Sequence, residues 1–165
     1  MSLITRNEQE NLDIDWYCSI NGHPVHIASM GGVIPEPFSE RETLRKIEDS
    51  VINLPYIAEV KLNHQVVEQE TAEGYNYIIE NQLSQYIEET LAYLPSFNYN
   101  RYWSLHTRLY VCSFVDKARK GFYSYAKIKE HYVLIAQPTT ECNALELPPL
   151  YINREGIPGS FIMPY

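Results

Sequence analysis

The chain has 165 residues, 45% of them apolar and 21% charged, and a formal net charge of −8. A chain of that length forms one globular domain with a core of its own, here spanning residues 1–165. No apolar run reaches the roughly 18 residues that cross a bilayer, and no charged start precedes an apolar stretch, so a soluble, cytoplasmic protein with no membrane partner is expected.

The clearest local signal lies near the start. Trp16-Tyr17-Cys18-Ser19-Ile20, then Asn21-Gly22, then His23-Pro24-Val25-His26-Ile27 spell a β-hairpin. Asn and Gly tolerate the positive φ that a type I′ turn needs at both central positions. The turn pairs Ile20 with His23, Cys18 with Val25 and Trp16 with Ile27. Trp16, Cys18, Ile20, Val25 and Ile27 then share a core face, and Tyr17, Ser19, Pro24 and His26 share the other. Pro24 sits at a non-hydrogen-bonded position, so the second strand is expected at a sheet edge or under a cover that needs no donor.

Gly31-Gly32 and Pro35-Glu36-Pro37 make a turn-rich connection. Ser39-Glu40-Arg41-Glu42 reads as a capping box, and Leu44, Ile47, Val51 and Leu54 continue it as one helical stripe that Pro55 stops. Residues 56–67 read as a short extended piece or a loop. From about Glu70 to Leu94 the pattern is again helical, with Tyr75, Ile79, Leu83, Tyr86, Ile87, Leu91 and Leu94 on one face and Pro95 ending it.

Residues 104–120 carry conflicting signals. Leu109-Tyr110-Val111-Cys112-Ser113-Phe114-Val115 is rich in β-formers. Lys117, Arg119 and Lys120 followed by Gly121 read as a basic last turn and a glycine cap, which decides for a helix. Residues 122–127 and 131–136 form a second hairpin turning near Lys129-Glu130. Beyond Gln137, five prolines exclude a long helix, yet Leu150, Phe161 and Ile162 are too apolar for a solvated tail. Residues 138–165 are therefore expected as an extended arm, docked on this body or exchanged with a second copy in a homodimer.

The expected class is α+β: two antiparallel hairpins, possible partners in one four-stranded sheet, with about three helices on the Trp16/Cys18/Ile20 face, plus the proline-rich arm.

Charge is uneven. Residues 36–89 hold twelve acidic and four basic side chains, whereas residues 101–130 hold seven basic and two acidic. Two segments that pack together and neutralise each other explain this, as does an interaction surface. The acidic whole disfavours nucleic acid.

The chemistry-bearing residues are sparse. Cys18, Cys112 and Cys142 form no Cys-x-x-Cys pair, which argues against a disulfide framework or a zinc site; they read as small buried hydrophobes in a reducing compartment. His23 and His26, three apart on a strand, point to opposite faces and share no ion. Cys18 lies diagonal to His23 but is flanked by core residues. Gly31-Gly32 lacks the glycine and lysine of a phosphate loop, so no cofactor is expected.

The densest unusual segment is Tyr93 to Trp103, where Phe97, Tyr99, Arg101, Tyr102 and Trp103 interleave with Asn and Ser. These are residue types of binding surfaces. The functional expectation is a non-enzymatic binding or assembly protein using those residues, with a protein or small polar ligand as partner. The alternative is a small hydrolase- or transferase-type enzyme near the first hairpin, using Cys18 or His26 with a distant partner.

Overall fold

The computed structural model describes residues 2–68 and 105–164. The expected helix at 70–94 and the aromatic segment lie outside the described residues.

The chain is a mixed α/β protein built on one six-stranded sheet. Strands β1 (Asp15–Ile20) and β2 (His23–Ala28) form the first hairpin, with Trp16 opposite Ile27, Cys18 opposite Val25 and Ile20 opposite His23. Asn21 and Gly22 adopt φ of 50° and 82°, as a type I′ turn requires. Strands β4 (Tyr123–Ile128) and β5 (His131–Pro138) form the second hairpin through Lys129 at φ 56°. The hairpins join through a parallel pairing of β2 with β4. On its other side β5 pairs with β6 (Ser160–Phe161) and with β3 (Val60–Leu62), which widens the expected four strands to six.

β2 is therefore an inner strand, not an edge. Pro24 is accommodated because the β2–β4 ladder begins one residue later, at Val25 opposite Tyr123. Its partner Ser19 turns its own backbone outward: Ser19 N–H donates to Pro148 O (2.9 Å), and Leu150 N–H donates to Ser19 O (2.8 Å). The C-terminal segment thus covers the outer edge of β1.

Helix α1 (Arg6–Asn11) starts with a capping box in which Thr5 Oγ1 accepts from Glu8 N–H and Glu8 accepts from Thr5 N–H. Helix α2 (Arg41–Ile52) is capped not by Ser39 but by Glu40, whose carboxylate accepts from the N–H groups of Glu42 and Thr43. Ser39 is buried one position upstream in a turn, where its carbonyl accepts from Ile4 N–H. The stripe itself is as expected, with Leu44 and Val51 buried.

Helix α3 (Leu105–Arg119) resolves the conflict over residues 104–120 in favour of helix. It closes in a Schellman motif: Phe122 N–H donates to Lys117 O, and Gly121 N–H to Ala118 O. Gly121 sits at φ 98°, and a Cβ there would lie 2.3 Å from Cys142 N, so both its conformation and its neighbour exclude a side chain. Lys120 folds back to donate to the carbonyls of Val51 and Ile52, tying α3 to the negative end of α2. No described helix is long and apolar enough to cross a membrane.

Both faces of the sheet are covered, which corrects the expected arrangement. Trp16, Cys18, Ile20, Val25 and Ile27 form the core face, but its cover includes the 34–38 loop and the C-terminal segment. Trp16 meets Phe38 at 5.0 Å, Phe161 packs on Tyr125 and Tyr132, and Tyr125 O–H donates to Pro158 O. α3 covers the opposite face, packing Val111, Phe114, Val115 and Ala118 with Ala28, Ala126 and Ile135. That face is buried despite its Ser and His because its polar groups satisfy one another. Within the C-terminal segment Leu150, Phe161 and Met163 are buried, whereas Tyr151 and Ile162 are exposed.

Candidate functional site

The first candidate grows from the face shared by β1, β2 and β4. His26 pairs with Tyr17 across the antiparallel hairpin and with Ser124 across the parallel ladder, so Asp15 falls diagonally from it on the same face. His26 Nε2 lies 2.8 Å from Asp15 Oδ1, and Nδ1 lies 2.9 Å from Ser124 Oγ. One tautomer satisfies every group: Nε2–H donates to the carboxylate and Ser124 O–H donates to Nδ1. Carboxylate, imidazole and hydroxyl in series is the composition of a nucleophilic triad. The distant partner that the enzyme reading asks of His26 thus exists, 98 residues away.

The accessibility is inverted. Ser124 and His26 are both 0% exposed, roofed by Tyr17 and by Phe114 of α3, while the Asp15 side chain is 39% exposed. An electrophile reaches the carboxylate and not the hydroxyl, so acyl transfer has no entry. Burial pushes the Asp15 carboxyl up, but the hydrogen bond from His26 and the electrostatic pull of the imidazole and Lys117 outweigh this and hold it below the ordinary aspartate value. The array is a clasp across three strands.

The other sequence-predicted groups are also sealed or scattered. Cys18 is wholly buried, and burial pushes its thiol far above the range in which a thiolate forms. His23 is bound at Nδ1 by Glu141 (2.7 Å), whose same oxygen accepts from Tyr123 O–H (3.0 Å). It stands apart from His26 on the other face, as strand geometry requires. Among the described residues no cluster of three metal-ligating side chains occurs. Phe97, Tyr99, Arg101, Tyr102 and Trp103 lie outside the described residues.

The second candidate is a surface groove of about 570 Å³ between α1 and α2. Ile4, Leu12, Ile14 and Leu44 supply apolar lining; Glu8, Arg41, Glu42, Arg45 and Glu48 supply charge. The capping box of α1 and the Glu40 cap of α2 position the two walls, bridged by an Arg41–Glu8 ion pair. Leu12 at the end of α1 is 53% exposed over the groove. Apolar periodicity misses this site because α1 buries only Gln9; the Thr5-x-x-Glu8 box was its readable signal. Glu48 is half-buried, and burial followed by the nearby Asp15 charge raises its carboxyl above the usual glutamate value, with Lys117 opposing.

Compared with protein-family models, with curated proteins and with solved structures, the chain matches none.

Proposed function

We propose that this protein acts by binding and not by nucleophilic catalysis. One observation carries the reading: the nucleophile–base combinations near the first hairpin, Ser124 with His26 and Cys18 with its neighbours, are sealed in the core, while the concave, amphipathic α1/α2 groove is open. Grooves of a few hundred Å³ with apolar lining and a few charged groups suit ligands. The composition of the segment holding Phe97, Tyr99, Arg101, Tyr102 and Trp103 supports a further contact surface on the same protein. Pro158 and Phe161 contact β4 and β5, and both a C-terminal segment docked on its own body and one exchanged with a second copy would make those contacts.

The test treats the folded full-length chain with a fluorophosphonate and, separately, with iodoacetamide, and reads adducts by mass spectrometry. Ser124 and Cys18 are expected to stay unmodified until denaturant is added, when Cys18 alkylates. A stoichiometric adduct at either residue in the folded protein overturns the binding-only reading.

A further inference from the structure

Among the described residues, some polar groups of the α1/α2 groove pair with one another and some do not. Arg41 is held by Glu8, and Glu42 faces Lys46 one turn along α2 at 3.7 Å. Arg45 and Glu48 remain. Neither has an ion pair or a side-chain hydrogen bond among the described residues, although both line the groove.

They stand three apart on α2, a spacing that places Cβ atoms about 5–6 Å apart on one helix face. Their guanidinium and carboxylate, without an ion pair among the described residues, therefore put opposite charges on one wall of the groove beside its apolar lining. Glu48 is the more constrained of the two. It is half-buried at the groove wall, where burial and then the Asp15 charge disfavour its carboxylate and Lys117 offsets them only in part, so a cation in the groove adds to what Lys117 supplies. Arg45 is exposed, with planar donors suited to a carboxylate. The exposed Leu12, with Ile4, Ile14 and Leu44, lines the same space.

Resting on the binding reading above, we propose that the groove is a site for a free α-amino acid with a large apolar side chain. The ammonium pairs with Glu48, the carboxylate pairs with Arg45, and the side chain covers Leu12 and Ile14. The complementarity is specific to a zwitterion because its two charges sit on neighbouring atoms of one carbon, as the groove's sit on neighbouring turns. A bare amine leaves Arg45 unmatched, a bare acid leaves Glu48 unmatched, and a polar amino acid leaves the apolar lining wet.

Isothermal titration of the full-length protein tests this with L-phenylalanine and L-leucine against phenethylamine, 3-phenylpropanoate and L-serine. One saturable site for the apolar zwitterions is expected. Loss of either charge weakens binding roughly tenfold or more, the ordinary weight of a charge-assisted hydrogen bond. Glu48→Gln and Arg45→Gln weaken phenylalanine binding to a similar degree, and Leu12→Ser weakens it while leaving the circular dichroism spectrum unchanged. The proposal is overturned by no saturable binding at millimolar phenylalanine, by a half-charged analogue binding as tightly, or by both charge variants binding as wild type. Those failures leave Ser124 and Cys18 unreactive and the binding reading standing, whereas adducts at those residues remove that reading whatever the titration shows.

Discussion

Ser124→Ala isolates what the clasp does. The substitution deletes one oxygen from a site with no solvent access and leaves His26 Nδ1 facing a methyl group 98 residues from its own position in the chain. No water replaces the hydroxyl without repacking Phe114 and Tyr17, so the ring nitrogen carries its desolvation uncompensated. A buried acceptor stranded in this way costs about 1–3 kcal/mol. The small void adds to that, though one oxygen is less than the methylene groups removed in larger core truncations. For a chain of this size such a loss lowers Tm by roughly 2–4 °C per kcal/mol. Equilibrium urea unfolding should show a lower midpoint with an unchanged slope, since the same surface is exposed. A double-mutant cycle with His26→Ala then separates the pair from its parts, and a coupling of about 0.5 kcal/mol or more is expected for residues in one network. A Ser124→Ala protein as stable as wild type, with no coupling to His26, refutes the clasp.

Asp15→Asn tests the other end through pH. The Asp15 carboxyl is held below its ordinary value, so its contribution is present above the unfolded aspartate value and is lost as pH falls through the lower, folded one. Wild type should therefore lose stability more steeply than Asp15→Asn as pH drops below about 4 in acid titrations of Tm, and parallel curves contradict the assignment. Gly121→Ala should destabilise by about 2–4 kcal/mol, from strain at positive φ and a forced shift of the Cys142 backbone, measured by the same unfolding experiment. A loss no larger than a few tenths contradicts that geometry.

Local chemistry was legible where short-range rules dominate. Asn21-Gly22 dictates the turn and hence the register of β1 and β2, because only residues tolerant of positive φ close a two-residue hairpin there. Gly121 after a basic turn dictates where α3 ends, overriding the β-forming residues before it. Cys18 reads as inert because its strand neighbours on that face are apolar.

Tertiary structure decided which faces met what. Ser, His and Asp on a strand look like a solvent face, since burying each alone is costly. Asp15, His26 and Ser124 are buried or half-buried together because their hydrogen bonds cross three strands, and that cancellation has no signature at a spacing of 98 residues. The parallel β2–β4 pairing has the same origin, as it needs a crossover whose register no local pattern encodes. Nor does periodicity announce a groove between a six-residue helix and α2. A surface site is made by the side chains that fail to pack, and only the packed fold shows which those are.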